Sequence, residues 1–166
     1  MKYYDIVLKP CEFDGPFAKR LGFERVFKAD GKSRGLFAGR DRSALIKAAQ
    51  RGSAIAITDF SIDREVLAKA RDNEAALCIP ISAIAAAKGL EQARLLHRAS
   101  ELIAYAYRKR MEVSFASLAE SRLFMDSRMQ LIEMAKALGA TEEQARRGVG
   151  EANVRIIEGC EAHDED

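Results

Sequence analysis

Tryptophan is absent from the 166 residues, and aromatic residues together make up 7% of them. A core built from this chain must therefore consist mostly of Leu, Ile, Val and Ala. The chain has no uninterrupted apolar run of about 18 residues, so no membrane-spanning helix is expected. Its opening, MKYYDIVLKP, lacks the long apolar segment of a secretory signal. Histidine is nearly missing: His97 and His163 stand alone, neither with a second histidine at ligand spacing. A metal-dependent hydrolase would need a His and Asp cluster at its strand ends, and here those ends offer Asp5, Asp59 and Asp63 without histidine. Cys11, Cys78 and Cys160 are an odd number with no short spacing. They predict free thiols in a reducing, cytoplasmic setting rather than a disulfide frame. Gly-x-Gly-x-x-Gly and Gly-x-Ser-x-Gly are missing, and the Lys-Ser of GKSRG (31–35) falls outside the Walker frame. No cofactor site is expected in the protein.

Against these absences stand 48% apolar and 31% charged residues, an ordinary balance for a globular chain. The length suits one domain with a substantial core. We expect that domain over residues 1–157. An acidic tail, EGCEAHDED, follows over 158–166, carries five acids and no Lys or Arg, and is expected to be disordered. Net charge is only +2, yet from Lys19 to Arg51 ten Lys or Arg face three acids. Such asymmetry points to a basic surface with a polyanionic partner.

Apolar patterning alternates between the two regular structures. Strands are predicted at Lys2–Lys9, Phe23–Ala29, Gly35–Gly39, Ser53–Asp59, Ala75–Ala83 and Met111–Ala116. Pro80 weakens the fifth of these, and Val154–Ile157 reads as a last strand or a helix end. Helices are predicted at Phe13–Leu21, after caps at Ser43 and Ser61, along the amphipathic stretch from Gly89, at Met129–Gly139, and from the capping box Thr141–Gln144. In the long helix Leu95, Ala99, Leu102 and Ala106 form one apolar stripe. The order predicts an α/β fold with about six or seven mainly parallel strands. A complete eight-fold barrel needs about 250 residues, which leaves a shortened (β/α) barrel or an open doubly wound sheet.

The chemistry that remains is cationic. Lys32, Arg34, Arg40, Arg42, Arg110, Arg122 and Arg128 fall at predicted strand ends and in loops. A guanidinium donates two hydrogen bonds to a phosphate and keeps its charge, and a lysine adds a point charge, so these seven are the candidate residues for binding an RNA or DNA backbone, and the candidate RNA-binding residues if the partner is RNA. Phe37, Tyr105, Tyr107 and Phe124 lie near them in sequence and are candidates for stacking on bases or for ordinary core positions.

Several segments resemble one family. YYDIVL (3–8), AKRLGFERVFKA (18–29), TDFSID (58–63), the block from Arg108 to Thr141, and ANVRII (152–157) are similar to successive segments of archaeal ribonuclease P protein component 3. The family's turn after the block's strand contains glycine, where this chain has Ser117-Leu118-Ala119. Its Arg-Ser-Pro corresponds to Asp126-Ser127-Arg128, and Val154 stands where the family has proline. The resemblance implies a TIM-like (β/α) barrel related to the polymerase and histidinol phosphatase superfamily, without that superfamily's metal site. It implies a non-catalytic subunit of an endoribonuclease whose RNA, with magnesium, removes the 5′ leader of precursor tRNA. The implied partners are the ribonuclease P RNA and protein component 2, with precursor tRNA met indirectly and no membrane. Two other readings stay open: a shortened metal-dependent phosphoesterase, and an interaction scaffold with no RNA role.

Overall fold

A computed structural model of the chain describes residues 1–9, 11–32 and 35–162. The fold is mixed α/β. Its strands are β1 (Tyr4–Leu8), β2 (Arg25–Ala29), β3 (Leu36–Gly39), β4 (Ala54–Ile57), β5 (Leu77–Pro80) and β6 (Val113–Ala116). The helices are α1 (Gly15–Arg20), α2 (Arg42–Gln50), α3 (Arg64–Asp72), α4 (Ile81–Ala86), α5 (Gly89–Arg108), α6 (Arg128–Ala137), α7 (Glu142–Val149) and α8 (Glu151–Glu161). A 3-10 turn covers Arg122–Phe124.

The strands form two sheets: β1 pairs with β2, and β3-β4-β5-β6 form a second row, every pair parallel. The ladder does not run as one continuous ring. Between β1 and β6 it is replaced by isolated bonds. Leu8 N–H donates to Ala119 O at 3.0 Å and Leu118 N–H to Ile6 O at 2.8 Å, just past the end of β6. Lower down, the amide of Asn153 from α8 sits between the two strands and donates to Tyr4 O at 2.8 Å and Phe115 O at 2.9 Å. A side chain thus occupies the seam where ladder bonds would close one sheet onto the other.

Strands β4, β5 and β6 bury both faces, and side-chain size separates the two. Ala54, Ala56, Ala76, Cys78 and Ala116 point to one side and pack with Ile156, Ile157 and Cys160 of α8. Ile55, Ile57, Leu77, Ile79, Val113 and Phe115 point to the other and meet the remaining helices, including the stripe Leu95, Ala99, Leu102 and Ala106 of α5. Small side chains let α8 approach closely. At Gly35 the fit is tightest, since a Cβ there would stand 2.5 Å from Cys160.

Several boundaries differ from expectation. Val154–Ile157 is helical, because Ile156 and Ile157 are needed on one helix face. The helix also carries 158–161 with Cys160 buried, so the acidic tail does not begin at 158; residues 163–166 lie outside the described residues. Asp41, not Ser43, caps α2 by accepting from Ala44 N–H at 2.7 Å, and Asp63, not Ser61, caps α3. In α2 Ser43 already lies inside the first turn, and in α3 Ser61 falls two residues ahead of the cap; in both helices a carboxylate stands at the position whose side chain reaches the free N–H groups. Pro80 ends β5 at the start of α4, where its missing N–H costs no ladder bond. The Thr141–Gln144 capping box forms, and Ser127 with Gln130 makes a second one on α6. All three cysteines are buried and none forms a disulfide among the described residues. No helix among the described residues is long and apolar enough to cross a membrane.

Candidate nucleic-acid interface

The site begins with a short helix. Asp14 accepts from Phe17 N–H at 2.6 Å, Pro16 suits the first helical turn, and Gly22 at φ +87° ends the segment after six helical residues. So short a helix hides little of itself: Ala18 is buried, Phe13 before it and Phe17 within it are half-buried, and Lys19 and Arg20 are exposed.

The chain then returns to this helix from far away. After β6, the 3-10 turn places the Arg122 guanidinium carbon 3.8 Å from the centre of the Phe17 ring, while Arg20 lies 5.6 Å from the same ring. Lys28, on β2, sits 4.8 Å over Phe13. Arg128, the first residue of α6, donates its backbone N–H to Leu21 O at 2.8 Å, and its side chain lies 5.0 Å over Tyr3. Gly22 passes beside this crossing, where a Cβ would touch Arg128 Cβ at 3.4 Å, and its φ of +87° is what calls for glycine there.

One face therefore carries Arg20, Lys28, Arg122 and Arg128, each held over an aromatic ring. Among the described residues none of the four has a carboxylate at ion-pair distance. Ring faces attract a cation, by about 0.5–1 kcal/mol at exposed sites, but carry no net charge. The side chains are thereby positioned while their charges stay open to an anion. Beside them Leu123 is 89% and Phe124 40% exposed.

The seven residues expected from the sequence are not one cluster. Arg122 and Arg128 come together on this face. Arg42 does not join them: it is clamped by Asp63 at 2.7 Å and by Glu65. Two carboxylates at the start of α3 neutralise it, so its role is to tie α2 to α3. Arg40 is exposed beyond the C-terminal end of β3, and Lys32 is exposed in the turn after β2. Arg110 precedes β6, at the opposite edge of the sheet from Arg40. Arg34 lies outside the described residues.

Among the stacking candidates, Phe37 and Tyr105 pack against the core, Tyr107 has its hydroxyl buried without a partner, and Phe124 is the exposed one. Sequence reasoning missed Arg20, Lys28, Phe13, Phe17 and Tyr3 as site residues. The Phe17–Arg20 spacing on one helix face was readable; the contacts from Lys28, Arg122 and Arg128 require the tertiary fold.

Two carboxyl groups lie behind this face. Asp5 is fully buried on β1 and accepts from Ile6 N–H at 2.9 Å, Ser117 N–H at 2.7 Å and Ser117 Oγ at 2.5 Å. Burial pushes its pKa up to about 7, in spite of the three hydrogen bonds. Burial also raises Asp126, whose Oδ2 has no hydrogen-bond partner among the described residues. Asp59 accepts from Ser61 N–H at 3.2 Å and so anchors its loop. His97 is exposed, 3.6 Å from Glu101. Among the described residues no group of three His, Cys, Asp or Glu is placed to hold a metal.

In comparisons with known proteins, no family model matches the chain and no curated protein matches it.

Proposed function

We propose that this chain is an RNA-binding protein subunit of ribonuclease P, acting beside the ribonuclease P RNA and protein component 2 in removal of the 5′ leader from precursor tRNA. The observation that carries the RNA reading is the face of Arg20, Lys28, Arg122 and Arg128, cations fixed over rings with no carboxylate at ion-pair distance among the described residues. Phosphate backbones bind such a face through charge, with exposed Phe124 available to a base. The holoenzyme assignment draws on the sequence resemblance, whose main block contributes Arg122 and Arg128. In this reading the two sheets are one shortened (β/α) barrel with its β1–β6 seam held by Asn153 and its interior filled by α8. The protein supplies contacts; the RNA subunit, with magnesium, performs the cleavage.

The test is reconstitution. Added to ribonuclease P RNA, alone and with component 2, the protein should increase precursor tRNA cleavage at modest magnesium. An Arg122→Gln/Arg128→Gln double variant should bind the RNA more weakly, its affinity falling less steeply with salt by about one unit of log–log slope per lost phosphate contact. No gain in cleavage from the unaltered protein would overturn the ribonuclease P assignment. An unchanged salt slope in the double variant would overturn the interface.

A further inference from the structure

Arg110, separated from the α1 face, lines a second concave surface. A cleft of about 440 Å3 opens at the N-terminal ends of β3 to β6, against α8. Its lining includes Gly35, Gly52 and Gly159, and a Cβ added at Gly159 would meet nothing within 4 Å, so the cleft is open there. The walls carry Arg51, Arg71, Arg110 and Arg155 against Glu74 and Glu112. Arg155 is engaged with Glu112 at 2.8 Å and Arg71 with Asp72 at 2.7 Å. Among the described residues Arg51 and Arg110 have no carboxylate at ion-pair distance.

The backbone adds an independent sign. The residue just past the end of α5 that takes the left-handed conformation is Arg110, at φ +55°. Glycine is the usual choice at such a position, since a side chain there is strained. Arginine in its place puts a guanidinium at the wall where glycine would leave none. Glu74, past the end of α3 and also in the cleft, has the same conformation at φ +55°.

We infer that this cleft is a binding site for a compact phosphate group, with Arg51 and Arg110 donating to its oxygens. Arg51 and Arg110 are two unpaired cations lining one concavity against the single unpaired carboxylate of Glu74 among the described residues, and a phosphoryl group can accept from both guanidinium groups. With four arginines and two glutamates in its lining, the cleft suits a small, multiply charged group rather than a bulky apolar one. The phosphate is either free, as in pyrophosphate, or the terminal phosphate of a nucleic acid strand. The inference does not rest on the ribonuclease P reading.

Calorimetric titration and thermal shift with pyrophosphate, and with a short oligonucleotide bearing either a 5′-phosphate or a 5′-hydroxyl, test it. Pyrophosphate should bind the unaltered full chain and raise its melting temperature. Arg51→Gln and Arg110→Gln should each weaken binding by roughly tenfold or more, the loss expected when a charge-assisted pair is removed. Arg110→Lys, which keeps the charge without the fork, should fall between. Melting of each variant without ligand establishes that it is folded. The Arg122→Gln/Arg128→Gln variant should bind pyrophosphate as the parent does, so failure of the RNA face leaves this site standing. Preference for the 5′-phosphorylated over the 5′-hydroxyl strand identifies a strand end; equal affinity for the two strands, with pyrophosphate still bound, identifies a free anion. If no phosphate species binds the unaltered protein, or both glutamine variants bind like the parent, the site is refuted.

Discussion

Asp5 is a carboxyl group that the fold holds between two strands and out of water, and its neighbours tolerate a proton. With the proton on Oδ2, the carboxyl donates to Ser117 Oγ, which lies 3.4 Å from Ile6 O and donates onward. A carboxyl whose pKa is higher folded than unfolded binds its proton more tightly in the folded state. Its stabilising contribution is therefore complete below the unfolded value of 3.8 and is lost as pH rises toward about 7. Asp126, also raised by burial, acts with the same sign. We expect the unfolding free energy to fall between these limits, with a slope of up to about 1.4 kcal/mol per pH unit for Asp5. Asp5→Asn, which keeps both contacts with Ser117, should flatten most of that slope. Urea unfolding of both proteins at several pH values checks this; parallel curves for parent and variant would refute it.

At the scale of elements, α8 joins the sheets through Asn153. The buried amide donates to Tyr4 O and Phe115 O and accepts from Ser114 Oγ. Removing it leaves both carbonyls without this donor in a buried seam and the Ser114 hydroxyl with only Cys78 Sγ, at 3.7 Å, and each missing bond costs about 1 kcal/mol or more. Asn153→Ala should therefore destabilise the protein by about 2–4 kcal/mol, seen as a lower urea midpoint. A change within ~0.5 kcal/mol would mean that water fills the seam without penalty. Helix α1 works by the opposite device. Its shortness leaves Phe17 half-buried, so that Arg20 and Arg122 can both lie over one ring. Lengthening the helix past Gly22 would displace the crossing of Arg128.

The whole molecule shares one principal core. Residues of both sheets, Val7 and Val26 with Ile55, Leu77 and Phe115, belong to a single buried cluster that also takes in α2, α3, α5, α6 and α7. Helix α8 packs with β1, β3 and β6 from the other side. Neither sheet retains its covering without the other, so the two should unfold together. Far-UV circular dichroism and tyrosine fluorescence are expected to give coincident urea transitions. Separate transitions would show that the β1–β2 unit has stability of its own.

The chain by itself determined what depends on neighbours in sequence. Period and turn chemistry were legible as parallel strands alternating with helices, and so were the stripe of α5 and the Thr141 capping box. The basic character of Lys19–Arg51 was legible too. Val154–Ile157 was ambiguous, because four apolar residues fit either period until α8 packs them. Charge alone could not show that Arg42 is neutralised by α3, that Arg110 stands at the other edge of the sheet, or that Arg122 returns to Phe17. Those outcomes depend on contacts between residues distant in the chain, and only the tertiary fold brings them together. Whether a cation is clamped by a carboxylate or held over a ring is a matter of a few ångströms, and that distance separates a structural tie from an open site.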